Sequence, residues 1–207
     1  KIENAEGIEN LDEILEIADG IMVARGDLGV EIPAEEVPYI QKMMINKCKE
    51  CFKPVITATQ MLDSMMRNPR ATRAEVTDIA NAIYDGTDAI MLSGETAVGK
   101  YPVEALHTMA NIAKFTESKM DYDRILELKR GYRNRGISTA VAYAAVATAR
   151  NLDATALIVS SAIGFSAKML SKFKPQANII AITPYERTRR RMQLYWGVTS
   201  YITPSDA

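Results

Sequence analysis

The sequence has a single histidine, His107, and only two cysteines, Cys48 and Cys51, among 207 residues. One histidine makes a histidine-based triad unattractive, and in "VEALHTMANIAKF" His107 falls on a helix face rather than in a site. The cysteines form one C-x-x-C inside a helical pattern. A zinc site would need two further ligands, and His107 is far off with no partner spacing. Reduced, partly buried thiols in a cytoplasmic protein are the reading, with a redox pair as the alternative. No apolar run approaches the ~20 residues that span a bilayer, so no membrane partner is expected. Neither sign of charge dominates: Lys plus Arg at 25 against Asp plus Glu at 26 gives -1, and nothing global draws the chain to nucleic acid. There is no signal-peptide pattern, and because the first residue is Lys1 rather than Met the natural start is expected upstream.

What is present is an ordinary globular composition, 47% hydrophobic and 25% charged, long enough for one large or two small domains. Ile8, Leu11, Ile14, Leu15 and Ala18 form one stripe opposite Glu9, Asp12, Glu13 and Glu16, which predicts an amphipathic helix over 8–18. A strand over 20–24 follows, then a helix opening at Pro33, the β-branched run "PVITA" over 54–58, a helix over 72–84, a strand over 88–92 and a helix from near Pro102. Strand and helix alternate without a two-residue hairpin signal, so the fold class is α/β with a parallel sheet. Residues 119–136, "KMDYDRILELKRGYRNRG", are dense in charge and lack a core stripe, which reads as a boundary. Beyond them an Ala-rich helix (138–151), "TALIVSS", a helix from Gly164, "NIIAIT", a helix through "RTRRRMQLYW" and "VTSYI" predict a second, smaller parallel α/β unit. The division is thus 1–118, a linker at 119–136, and 137–207.

Two stretches share a pattern. "DGIMVARGDLG" (19–29) and "DAIMLSGE" (88–95) each run apolar and then deliver a glycine and a carboxylate. Parallel sheets place their ligand sites at the carboxyl ends of strands, so Lys1, Glu3, Arg25, Asp27, Thr59, Ser93 and Glu95 are expected over one mouth. Lys1 and Glu3 are two apart and on a strand point the same way. Two ionised carboxylates about 5 Å apart repel by about 3 kcal/mol at an effective dielectric of 20, so Glu3 and Asp27 in one site want a cation between them. All-oxygen ligation suits Mg²⁺ or Mn²⁺. With Lys1 and the turn at Gly26, such a site suits an anionic substrate that gains negative charge on oxygen during reaction. The alternative is a set of separate salt bridges capping strands.

"KIEN", "MVARGDLGVEIP", "PVITATQML" and "NPRATRAEVTDIANAIYDGTDAIMLSGETAVGKYPVEA" together resemble pyruvate kinase, and "NIIAIT" with the following "WGV" resembles that family's carboxyl-terminal domain. The likeness runs over essentially the whole chain. It implies a partial (β/α)8 TIM barrel, about strands five to eight, followed by most of an α/β regulatory domain. It also implies a glycolytic transferase in which phosphoenolpyruvate and ADP become pyruvate and ATP, with Mg²⁺ or Mn²⁺, with K⁺ as a further cation, and as a cytoplasmic, allosteric homotetramer. By the same resemblance Lys1 matches the lysine that stabilises the transferring phosphoryl group and the enolate, and Glu3 and Asp27 match the metal ligands. Gly26 and Asp27 offer backbone N–H groups to the substrate carboxylate beside Thr59, which lies near the face where the enolate is protonated. Ser93 and Glu95 match the network behind that proton delivery, and Arg25 supports the substrate site. The family's first strands, which carry further phosphate, nucleotide and monovalent-cation contacts, are absent, as is its inserted lid domain. A barrel lacking them exposes two edges and an open core, so the isolated chain is expected to be inactive.

In "SSAIGFSAK", Ser160, Ser161, Gly164 and Ser166 could aim hydroxyls and N–H groups at a phosphorylated effector on a helix N-terminus, or form an ordinary cap. Family members bind sugar phosphates here, but Ala162 and Ile163 stand where polar residues are common. The run Arg187, Arg189, Arg190 and Arg191 has no interleaved aromatics and reads as a solvated face, a subunit contact or an effector contact rather than a nucleic-acid surface. Two rival functions remain: an aldolase or mutase acting on pyruvate enolate, separated by the nucleotide requirement, and a non-catalytic module for assembly and effector binding.

Overall fold

The computed structural model describes residues 1–203, without the side chains of 133–135. It divides into two units, Lys1–Met120 and the residues from Asp121 onward. The division falls inside the charged segment read as a boundary. The remainder of that segment is helix and 3-10 turn rather than an extended linker, and belongs to the second unit.

In the first unit the order is α1 (Ala5–Glu9), α2 (Leu11–Ile17), β1 (Ile21–Ala24), α3 (Arg25–Glu31), α4 (Val37–Glu50), β2 (Val55–Ala58), α5 (Arg73–Asp85), β3 (Ala89–Met91), α6 (Gly94–Ala97) and α7 (Pro102–Ser118). The single helix expected over 8–18 is two. The Asn4 side chain caps α1 through Gly7 N–H, and Asn10 breaks the run by donating its side-chain amide to Glu6 O at 3.0 Å. Lys1 and Glu3 do not lie on a named strand. Ile2 alone makes a parallel bridge to Val23, with its N–H on Met22 O and its C=O accepting from Ala24 N–H.

The three strands are parallel in the order β1-β2-β3, and their registers pair Ala24 with Ala58 and Ala58 with Met91. The carboxyl ends are therefore level, and whatever follows Ala24, Ala58 and Met91 comes to one edge of the sheet. Beneath them Val23, Leu28, Met44, Ile45, Cys48 and Val55 are fully buried, and truncating one such aliphatic side chain to Ala costs about 2–5 kcal/mol. Helix α5 is set by a capping box: Thr72 Oγ1 accepts from Glu75 N–H while the Glu75 carboxylate accepts from Thr72 N–H.

The second unit holds α8 (Tyr122–Leu128), α9 (Ile137–Asn151), β4 (Ala156–Ser160), α10 (Phe165–Lys172), β5 (Asn178–Thr183), α11 (Glu186–Met192) and β6 (Val198–Ile202). Its sheet is again parallel, β4-β5-β6, with Ser160 opposite Ile182 and Thr183 opposite Ile202. No helix among the described residues is long and apolar enough to cross a membrane.

Candidate active site

The strand β1 does not end in a turn. Its last residue passes directly into α3, which begins at Arg25 and buries Leu28. No side chain of α3 caps this helix. Instead Gly26 N–H, one of the donors that a helix start leaves without an intrahelical partner, reaches Thr59 Oγ1 at 2.7 Å. The cap comes from the neighbouring strand, 33 residues away in sequence. A Cβ on Gly26 would sit 3.4 Å from that same hydroxyl, so glycine keeps this side of the turn open rather than relieving a clash.

Around this joint the structure gathers the expected residues into three contact groups. In the first, Lys1 Nζ lies 2.6 Å from Glu3 Oε2 and 3.0 Å from Asp27 Oδ2, with all three side chains about half exposed. Hydrogen bonding to Glu3, and next to Asp27, holds the Lys1 ammonium above the ordinary lysine range and hence charged. Two carboxylates converging on one positive point form an all-oxygen donor pair. That pair fits a hard divalent cation drawing its remaining positions from water or from a substrate oxygen. Among the described residues no cluster of three or more acidic, histidine or cysteine ligands accompanies it.

In the second group Arg25 pairs with Asp78. Its side chain is 10% exposed and its Nη1 meets both Asp78 oxygens at 2.6 and 2.7 Å, with Gln41 Oε1 at 3.5 Å. Its Nη2 donates to Thr59 O at 2.7 Å and its Nε to Ala58 O at 3.3 Å. Arg25, expected to support the substrate site, is engaged by α5 and by the end of β2.

In the third group Glu95 is buried, and both carboxylate oxygens are taken by backbone: Oε1 accepts from Leu62 N–H at 3.0 Å and Oε2 from Ser93 N–H at 2.8 Å. The Ser93 hydroxyl does not cap the short helix α6; Glu95, inside that helix, reaches back to accept Ser93 N–H. Glu95 thereby ties the end of β3 to the segment after Thr59.

Two residues that bear on the site escaped the sequence reading. Asp78 gives no local signal, because its partner is 53 residues away. Glu75 does give one, the Thr72-x-x-Glu75 capping box. Its carboxylate also accepts from Ser64 N–H at 2.7 Å and Ser64 Oγ at 2.6 Å, which pins the 3-10 turn Asp63–Met66.

In the second unit Gly164 adopts φ +79 at the start of α10, a conformation that favours glycine, and Ser161 Oγ accepts from Ser166 N–H at 3.4 Å. The loop is drawn down by its carbonyls: Ala162 O accepts from Thr188 Oγ1 at 3.0 Å and Thr183 Oγ1 at 3.3 Å, and Ile163 O accepts from Arg191. Ser160 is exposed at the end of β4. In the arginine run, Arg189 and Arg190 both pair with Glu186. His107 is exposed on α7, and neither the buried Cys48 nor the exposed Cys51 is in a disulfide.

Family models match both units: the pyruvate kinase barrel domain over residues 1–106 and the pyruvate kinase alpha/beta domain over 139–207. A pyruvate kinase of Clostridium acetobutylicum is 54% identical over 98% of the chain and 43% of its own length. One from Geobacillus stearothermophilus is 56% identical over 99% of the chain and 35% of its own length. A crystal structure of a pyruvate kinase from Cryptosporidium parvum superposes with a TM-score of 0.95 at 43% identity, covering 98% of the chain and 41% of that structure. The chain spans less than half the length of these relatives.

Proposed function

Because this chain belongs to the pyruvate kinase family, we propose that it is part of a longer enzyme that moves a phosphoryl group from phosphoenolpyruvate to ADP. The observation that carries this is the Lys1 ammonium held between Glu3 and Asp27 at the carboxyl edge of a parallel sheet. The P–O bond of phosphoenolpyruvate breaks, an ADP oxygen bonds to phosphorus, and the departing enolate takes a proton at its methylene carbon. Lys1 balances negative charge on the phosphoryl group and on the enolate oxygen. Glu3 and Asp27 would hold Mg²⁺ or Mn²⁺, which supplies further positive charge against the same oxygens. The first turn of α3 offers Gly26 and Asp27 N–H groups to the substrate carboxylate. Gly26 N–H rests on Thr59 Oγ1, so a bound carboxylate shares or takes that donor. Thr59 then stands beside the enolate face, and Ser93 and Glu95 fix the backbone behind it. Arg25 serves this arrangement from beneath rather than by contact with substrate.

On this reading residues 1–118 are the last part of a (β/α)8 barrel and 137–207 part of a regulatory domain, joined through 119–136. The parent protein is a cytoplasmic homotetramer with K⁺ as a further cation. A phosphorylated effector at Ser160, Ser161, Gly164 and Ser166 is supported by the left-handed start of α10. The isolated chain is inactive, since a three-stranded sheet leaves strand edges that a closed barrel would not. The test is pyruvate release from phosphoenolpyruvate and ADP by the full-length protein, its Lys1→Met variant and the 207-residue chain. Turnover is expected in the first, a fall of about 10³-fold in the second, and none in the third. A full-length protein without turnover overturns the activity, and turnover by the chain overturns its inactivity.

A further inference from the structure

Thr59 and Gln60 follow β2 in the left-handed region, at φ +71 and +54, where residues with a side chain are seldom found. Such a conformation persists only when its surroundings over-determine it, and here the determinant is a chain of contacts. Asp78, on α5, places both oxygens on Arg25 Nη1 at 2.6 and 2.7 Å. Arg25 donates to Thr59 O at 2.7 Å and Ala58 O at 3.3 Å, so the carbonyl before Thr59 and its own carbonyl point at one guanidinium. With the carbonyl fixed, Thr59 Oγ1 faces Gly26 N–H at 2.7 Å. The guanidinium has five N–H donors in a rigid fork, and its remaining neighbour, Gln41 Oε1 at 3.5 Å, lies at the far limit of a hydrogen bond. Asp78 is therefore the group that sets the fork's orientation.

We propose that Asp78 is a positioning residue: it acts through Arg25 to hold the Thr59–Gln60 bend and so aims the Thr59 hydroxyl at the site. The inference rests on the phosphoryl-transfer reading for its kinetic consequence but not for its structural one. A displacement of about 1 Å at a reacting group can cost about a hundredfold in rate. In the full-length protein Asp78→Ala should therefore lower kcat about 10- to 100-fold while KM for phosphoenolpyruvate moves less than about threefold, because the Lys1, Glu3 and Asp27 cluster is untouched. Asp78→Asn, which keeps the shape and loses the charge, should fall in between, and Asp78→Glu should recover part of the rate.

Two readouts separate positioning from general stability. In a cycle with Thr59→Ala, the double variant should be no slower than Thr59→Ala alone, whereas a merely structural loss would multiply. Independently of any activity, amide hydrogen exchange at Gly26 should speed up about tenfold or more in Asp78→Asn, since that amide is held by Thr59 Oγ1. Unchanged exchange at Gly26 overturns the proposal even if the enzyme is active, and so do losses that multiply. Faster exchange at Gly26 in a protein that makes no pyruvate would sustain the positioning role and overturn the activity instead.

Discussion

Lys1 Nζ lies 3.0 Å from Asp27 Oδ2 and 2.6 Å from Glu3 Oε2, so one ammonium occupies the position between two carboxylates. A divalent cation held by the same pair must share them with this ammonium. Asp27→Asn leaves one carboxylate and should raise the Mg²⁺ concentration that half-saturates the full-length enzyme by about tenfold or more. Isothermal titration of Mg²⁺ checks the same point without turnover. Equal affinity in parent and variant would remove Asp27 from the ligand set, and a chelator should abolish pyruvate formation reversibly.

Glu75 ties two pieces of chain together, its own helix α5 through Thr72 and the 3-10 turn through Ser64. Burial by itself would raise this carboxyl, but hydrogen bonds from the Ser64 hydroxyl and N–H and from Thr72 outweigh it and hold Glu75 below the usual carboxylate range. A depressed carboxyl contributes stability that is full above its unfolded value of 4.5 and is lost as pH falls below it. Glu75→Gln should cost about 1–3 kcal/mol at neutral pH. The melting temperatures of parent and variant should converge as the pH is lowered toward 3, and a gap that stays constant with pH would contradict the charge-based account.

Much of the fold was legible because it depends on local pattern. "NIIAIT" is β5 to the residue, since a β-branched run in a parallel sheet needs no information from elsewhere. Helix α3 was not legible, because its start is satisfied from outside, Gly26 N–H by Thr59, 33 residues away. The break at Asn10 was equally hidden, since the apolar stripe continues across it while one side-chain amide decides the backbone. In the site, Lys1, Glu3 and Asp27 come together, although Lys1 and Glu3 lie on no named strand and Asp27 lies in α3. What spacing could not supply is where Arg25 points, because that is settled by Asp78 on another helix.

Glu186 accepts from Arg189 and Arg190 on successive positions of α11, and these bonds, Arg189 first, hold its carboxyl down to about 2. All three groups meet solvent, so the pair belongs to the surface class whose effect on stability is small and screened by salt. The observable is the titration itself. Carboxyl carbon shifts followed by NMR should show Glu186 ionised down to pH about 2, its contribution being full above the ordinary 4.5 and lost only as pH falls through that lower value. Arg189→Ala should move the midpoint back toward 4.5, and a parent midpoint already there would show that the arginines are not held against Glu186 in solution.

Glu95 presents two oxygens to two backbone donors, Leu62 N–H and Ser93 N–H, in a place that is 2% exposed. Glutamine has the same shape but a single acceptor, so Glu95→Gln must turn an amide N–H toward one of those donors. An opposed pair of buried donors costs about 1–3 kcal/mol, and the full-length variant should melt lower by a corresponding few degrees. Activity separates this from a role in moving protons. If Glu95 only fixes the loop, pyruvate formation in Glu95→Gln should fall modestly and keep the parent's pH profile. If instead Glu95 exchanges protons with the site, the rate should collapse while the melting temperature hardly moves. The bond pattern argues for the first outcome, because each Glu95 oxygen is already held by a backbone N–H and the side chain is buried, which ties it to the loop.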